Sequence, residues 1–591
     1  MLRVHYGARK AGDLRINLSP SLKPMEEDAT VRNQHKRATW SVILTVVGAV
    51  AIAAAIAASA GAKVQKAHAA ATGTINMVEG TAPQSLDPGL DYTTQGSEVN
   101  WEVYTGLTSY ARKPGLASTD LIAGLATSLP KISNGGKTYT VTLRKGLKFS
   151  NGDPLVASDF TFTVERAVSI PWGGASTFIT PNIVGAAAYA KHPGKGTIPG
   201  ISANNATGKI VIHLTAAYGP FDNVLAFPSL GIVDPKGTSI SKAQPTAPPA
   251  GVGPYKVTSI VPNASYDVVL NPDWKALPGI PSGNDNIDVK ISSNVNANAD
   301  AVLNNSEDIF DWADTIPGSY LSKINSQAKS RFSLVNMGGS TYYVFLNATK
   351  PPFNNQYARE AVVTGLNENY MNRLGGGTLA PACFFLPPAI PGHPSGKCPF
   401  GTPGNGNTTK AKALVAKSGD ANTPITVYSE ERSPRLQWMT YYEQELKAIG
   451  FKNVTMKEVA DANYFTTIGE SKSVDPQTGF ADWNQDFPNP VDFYGVLLDG
   501  HSVTPTNNEN FGQTNDKYIN SQVAKLGKTP TTQLNSVKGQ WQTLDKYVAN
   551  HAYVAVFGYQ KFPFFTSKRI VRSPEMINYI YGWNFSALKL K

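Results

Sequence analysis

A chain of 591 residues is too long for one hydrophobic core, so two or more domains are expected. Its composition is that of a folded protein, 41% hydrophobic and only 16% charged, and its 52 glycines and 41 prolines favour strands and loops over long charged helices. The net charge of +10 is concentrated at the start: residues 1–71 hold ten Lys/Arg against four Asp/Glu, leaving 43 against 39 in the rest, which argues against a nucleic-acid surface.

Residues 1–39 are polar and irregular and read as a disordered cytoplasmic tail. Residues 40–60 carry no charge over 21 positions. As a helix they would span roughly 30 Å, enough for a bilayer core. Lys36 and Arg37 just before them predict a cytoplasmic N-terminus. Ala67-His68-Ala69 is a small-residue cleavage site, so segment 40–61 is either a signal-anchor or a cleaved signal peptide. Both place residues 72–591 outside the cytoplasm, membrane-anchored or released. No cysteine lies near the segment to carry a lipid.

Beyond it, residues 74–78 alternate as a strand, and residues 99–107 suggest a short helix. Residues 138–144 alternate cleanly. Ser158 is positioned to cap a helix with Asp159 in its first turn. Residues 210–214 form another strand. The Pro/Gly-rich run 235–254 is a candidate crossing between lobes. Strands are expected at 255–260, 266–270 and 342–346, and a helix at 357–366 with Arg359 and Glu360 outward and Ala361, Val362 and Val363 inward. Amphipathic helices at 410–417 and 435–449 are interleaved with strands at 425–428 and 454–456. Alternating strands and helices imply α/β lobes.

Cys383 and Cys398 flank a Pro/Gly-rich loop, and in an exported chain they read as one disulfide. A metal site built from two thiols and His393 is the poorer alternative.

The run from Gly135 through Phe162, with Gly146, Gly152-Asp153-Pro154 and Ser158-Asp159-Phe160, resembles the extracellular solute-binding proteins, family 5, the oligopeptide/dipeptide-binding type of ABC importer component. Ser85-Leu86-Asp87-Pro88, Gly251-Val252-Gly253-Pro254-Tyr255, Asn271-Pro272-Asp273-Trp274, Phe345-Leu346-Asn347, Pro352-Phe353-Asn354 and Arg359-Glu360-Ala361 follow in the family's order. The resemblance implies a two-lobed, periplasmic-binding-protein-like α/β clamp with an extra subdomain in the N-terminal lobe. Lobe I would comprise 72–340 and 555–591, with the subdomain at about 111–250, and lobe II would comprise 341–554. Ligand touching both lobes would close the hinge.

In peptide-binding members a motif similar to Trp483-Asn484-Gln485-Asp486-Phe487 sets its Asp against the ligand's α-ammonium. Carried over, Asp486 is that anion, residues 482–485, with Asn484 and Gln485 among them, present backbone to an extended peptide, and Trp483 and Phe487 are apolar walls. The competing reading makes Asp486 a turn cap before Pro488, with both rings in the core. Tyr92 and Thr93, within Asp91-Tyr92-Thr93-Thr94, are candidates to line the cleft from lobe I. Arg432 and Arg435 are candidates for a ligand carboxylate but read better as solvated surface charges, and Glu430-Glu431 as a solvated pair. His501 reads as a loop histidine. The chain lacks a Gly-X-Ser-X-Gly elbow, a His-Glu-X-X-His helix and a Gly-rich phosphate loop.

The expectation is therefore the substrate-binding component of an ABC importer. It is not an enzyme and needs no cofactor; it takes peptides outside the membrane and hands them, as a monomer, to a permease. Alternatives are a binder of oligosaccharide, nickel or another metal chelate, a membrane-tethered peptide sensor, and an exported hydrolase.

Overall fold

The computed structural model describes residues 73–591 apart from 171–177, 317 and 461–462. The tail, segment 40–61 and the Ala67-His68-Ala69 site lie outside the described residues. Among the described residues no helix is long and apolar enough to cross a membrane.

Two large sheets form two lobes. The first has seven strands, in the order Phe332–Val335, Phe562–Thr566, Ile309–Phe310, Thr74–Glu79, Asn286–Ile291, Ser265–Leu270 and Tyr255–Val261. Its central strand Thr74–Glu79 pairs in parallel with both neighbours, and the outer pairs are antiparallel. The second has six strands, in the order Leu379–Ala380, Val554–Gln560, Ser340–Leu346, Thr478–Asn484, Ile425–Glu430 and Val454–Val459. The strand Ser340–Leu346 (STYYVFL) is buried at every position, as a central strand covered on both faces must be. Below it Trp438 stacks on Phe480 at 6.0 Å, and Phe557 packs against both rings.

The chain crosses between these sheets twice. It leaves the first sheet at Val335 and enters the second at Ser340, and it returns between Gln560 and Phe562. The boundary expected at 555 falls inside Val554–Gln560, which pairs with Ser340–Leu346 in the second sheet. The Pro/Gly-rich run 235–254 is not a crossing. It holds no helix or strand and closes the subdomain back onto the first lobe, where Gly251 and Gly253 let the backbone pass within van der Waals contact of Val103 and Glu102. A Cβ at either position would lie 2.6 Å or less from a carbonyl oxygen there, which is why the Gly-X-Gly-Pro spacing is needed.

A four-stranded antiparallel sheet, Lys131–Ser133, Thr138–Thr142, Lys209–His213 and Ile201–Asn204, builds the subdomain with the helix Ala157–Ser169. That helix starts one residue before Ser158. Val156 is its N-cap, and the Asp159 carboxylate accepts from the Val156 N–H at 2.8 Å. Arg166, buried on the same helix, donates two hydrogen bonds to Asp87, at 2.7 and 2.5 Å, and Asp87 also accepts from the Gln244 N–H. The Ser85-Leu86-Asp87-Pro88 turn is thus a clasp joining first lobe, subdomain and the 235–254 run.

Two further expectations shift. The helix placed at 99–107 is Thr94–Val103, started by the Thr93 hydroxyl accepting from the Gly96 N–H. Arg359 points inward, donating to the Phe353 and His551 carbonyls and lying 4.9 Å over the Tyr553 ring. The short spacing to Glu360 hid a helix face that buries a guanidinium. Cys383 and Cys398 form the disulfide, with Cα atoms 5.9 Å apart.

Candidate functional site

The strand Thr478–Asn484 runs antiparallel to Ser340–Leu346, with Asn484 opposite Ser340. The ladder continues one step, the Gln485 N–H donating to the Gly339 carbonyl at 2.8 Å. The segment Trp483–Asp486 therefore leaves the middle of the second sheet beside the crossing segment, facing the first lobe. It is then turned by a helix start. Asn489 caps Pro490–Leu497 by accepting from the Val491 N–H, and Pro490 occupies the first turn, where its missing N–H costs nothing. Asp492 in that turn reaches back to accept from the Asp486 N–H at 2.8 Å.

This geometry frames a cavity of about 280 Å³ between the lobes. The second lobe contributes Gly339, Ser340, Phe465, Asp482 through Asp486, and Glu509, and the first contributes Tyr92, Thr93, Thr94, Ser97, Trp312 and Phe562 with Tyr579–Tyr581. Tyr92 and Asp486 meet across it, the phenol donating to Oδ2 at 2.8 Å. Gln485 crosses too, its Nε2 donating to the Tyr579 carbonyl at 2.8 Å.

The electrostatics are one-sided. Burial lifts the Asp486 carboxyl to about 7, partly offset by hydrogen bonds from Tyr92 and with Asp492. Asp492 is pushed well up by burial and by Asp486. Glu509 opens into the cavity yet is enclosed by protein behind, so burial and the Asp486 charge lift it to about 7. Among the described residues none of the three has an ion-pair partner. Acceptors line the rest: the side-chain oxygens of Asn484 and Gln485 are buried without a hydrogen-bond partner. A wall of acceptors and carboxylates suits a donor-rich cation.

Of the residues singled out in the sequence, Asp486, Trp483, Asn484, Gln485, Tyr92 and Thr93 converge on this cavity. Phe487 does not line it. It is fully buried in the subdomain core, edge-on to Phe178 at 5.3 Å, because the turn before Pro488 carries it across to the other lobe. Arg435 is not a surface charge. It is held between Glu430 and Asp482, the latter at 2.8 Å, and lies 4.6 Å over the Phe480 ring. Glu430 is buried in that pairing and also takes Arg432 at 3.1 Å. Arg432 lines an adjoining cavity of about 590 Å³, which shares Thr94, Trp312, Asn484 and Phe562 with the first. His501 sits exposed on the short helical turn Gly500–Ser502, beside its cap Asp499. Among the described residues no group of three or more His, Cys, Asp or Glu could hold a metal ion. Glu509, Phe465 and Tyr579–Tyr581 were missed. Their segments carry no motif, and only the fold brings them to the cleft.

Two α/β lobes joined by two crossings around an enclosed cleft define a ligand-binding clamp. The chain belongs to the bacterial extracellular solute-binding proteins, family 5, whose middle region matches residues 120–504. It is 25% identical to the probable D,D-dipeptide-binding periplasmic protein DdpA of Escherichia coli (strain K12), over 83% of this chain and 90% of that protein. It is 24% identical to the oligopeptide-binding protein OppA of Bacillus subtilis (strain 168), over 78% of this chain and 84% of that one. Its fold is similar to that of the solved clavulanic acid biosynthesis oligopeptide binding protein 2, with TM-score 0.79 and 21% identity over 88% of this chain and 95% of the other. The ABC transporter-associated periplasmic binding protein DppA of Helicobacter pylori, solved in complex with the peptide STSA, aligns with TM-score 0.68 and 19% identity over 88% of this chain and 98% of the other. The family is one of solute-binding proteins that act outside the cytoplasm.

Proposed function

We propose that this chain captures peptides outside the membrane and delivers them to an ABC permease, holding the ligand's α-ammonium on Asp486. The observation that carries the reading is the unpaired Asp486 carboxylate at the end of a central strand, facing the cleft with Tyr92 opposite. The open end of that strand offers backbone groups to an extended ligand. Relatives named as dipeptide- and oligopeptide-binding proteins support the same ligand class. No step of covalent chemistry is needed, and the chain works as a monomer. Segment 40–61 either keeps it at the outer face of the membrane or is removed on export.

The test is calorimetric titration of the full-length protein and of Asp486→Asn with a tripeptide and its N-acetyl form. A charge-assisted hydrogen bond contributes about 1.5–3 kcal/mol, so the variant should lose roughly 10- to 150-fold for the free peptide and little for the acetylated one. Equal losses for both would remove Asp486 from the ammonium role.

A further inference from the structure

The cleft holds one more carboxylate than an α-ammonium requires. Asp486 has Tyr92 as a donor and Asp492 bound to its backbone. Asp482, on the same wall, is neutralised by Arg435. Glu509 stands apart from both. It comes from the loop between the short helical turn Gly500–Ser502 and the helix Lys517–Leu526, its side chain is open to the cavity, and among the described residues it has no ion pair. It also feels the charge of Asp486, so the two carboxylates face the same region of the cleft.

Two other observations point to a ligand at this spot. Gln485, more than nine-tenths buried, lines the cavity with Oε1 unpartnered, although its Nε2 is used on Tyr579. Tyr581, 4% exposed, lines it with a hydroxyl that has no partner. Buried polar atoms without partners are costly, about 1–3 kcal/mol each, and are expected where a ligand completes them. The groups facing Glu509 and Asp486 across the cavity are Tyr92, Tyr581 and the cleft amides. No lysine or arginine among the lining residues is available to cancel a second negative charge.

We infer that Glu509 is a specificity-determining residue that selects ligands carrying a second positive charge on their first residue, so that the cleft prefers peptides beginning with a basic side chain. The inference rests on the peptide reading above. Asp486 takes the α-ammonium, and Glu509 takes the side-chain ammonium or guanidinium. The aromatic walls, Trp483, Phe465 and Tyr581, cover the aliphatic stem between them. A ligand neutral at that position leaves Glu509 facing Asp486 with no counter-charge, which is a penalty as well as a lost contact.

The test is calorimetry at pH 7.5 on the full-length protein with Lys-Ala-Ala, norleucine-Ala-Ala and the N-acetyl form of each. Norleucine keeps the stem of lysine and removes only its charge. The unmodified protein should bind the lysine peptide at least about tenfold more tightly than the norleucine peptide. Glu509→Gln should bring that ratio near one while preserving the preference for a free amino terminus. Glu509→Asp, which keeps the charge, should retain part of the ratio. A ratio near one in the unmodified protein overturns the inference. So does Glu509→Gln weakening both free peptides equally, since Glu509 would then be sharing the α-ammonium. If acetylation has no effect, or neither peptide binds, the peptide reading itself has failed, and that outcome is separate from a lost lysine preference.

Discussion

Affinity for a free peptide should pass through a maximum near neutral pH, with an acid limb that belongs to Asp486. Burial lifts this carboxyl to about 7 in the empty cleft, and the groups facing it are the Tyr92 and Tyr581 phenols with Asp492 and Glu509, none of them cationic. A peptide's α-ammonium titrates at about 7.7–8.0. Binding needs the ionised acid and the protonated amine together. With those two values the paired fraction is about 0.01 at pH 5 and about 0.5 at pH 7.4, so affinity should fall about fifty-fold on acidification. By pH 9 it has fallen again, roughly eight-fold from its value at pH 7.4, as the amine deprotonates. The stability of the empty chain has the opposite sense. Its folded value lies above the unfolded one, so this group's contribution is fully present at acid pH and is lost as pH rises through the window from about 4 to about 7. The assay is calorimetric titration from pH 5 to 9 with a tripeptide whose first side chain is neutral, for the unmodified protein and for Asp486→Asn. The acid limb should vanish in the variant and for the N-acetyl peptide. An acid limb of the same size in either would refute the assignment.

The remaining predictions concern closure and the scaffold. Phe487 belongs to a second-lobe loop but is buried in the subdomain core, so Phe487→Ala should tax the closed clamp above all. Up to about 3–5 kcal/mol should appear as weaker binding of every ligand, with the free-to-acetylated ratio unchanged and small-angle scattering showing a more open average. Arg166→Met would strand the buried Asp87 carboxylate and should lower stability by about 3–5 kcal/mol in urea titration, whereas adding Asp87→Asn should recover part of the loss.

The second lobe was legible because its strands are apolar runs and its helices amphipathic, and the residues at 425–428, 435–449 and 454–456 fall where they are expected. Asp486 was legible because a carboxylate between Trp483 and Phe487 before Pro488 is an unusual local arrangement. Phe487 was misassigned for the same reason. Adjacent residues on a turn diverge, and only the tertiary path decides that one enters the cleft while its neighbour enters the other lobe's core. Arg359, Arg435 and Glu430 were read as solvated because charge on a helix or loop usually is. Arg359 and Arg435 are instead held by partners distant in sequence, His551 and Asp482, which no local pattern reveals, and Glu430 is buried under Arg435 five residues on. Glu509 had no signal at all, being a lone acid in a polar loop.

Arginine pairing separates one set of buried scaffold acids from the ligand acids, while others such as Glu79 and Asp545 are held by tyrosine or backbone donors instead. Asp87 is bound to Arg166, Glu102 to Arg112, Asp308 to Arg569, and Glu430 and Asp482 to Arg435. Each of those arginines spends a fixed, always-charged group on a carboxylate that never needs to be free. Asp486 and Glu509 receive no such partner, although Arg435 lies only one wall away, already held by Asp482. Desolvation without a counter-ion keeps both near the point where a neutral group and an anion are equally stable, so a ligand cation can complete the charge and displace a proton in one step. Were either acid paired within the protein, closing the lobes over a cation would first have to break that pair. The absence of an internal partner is therefore a requirement for reversible capture.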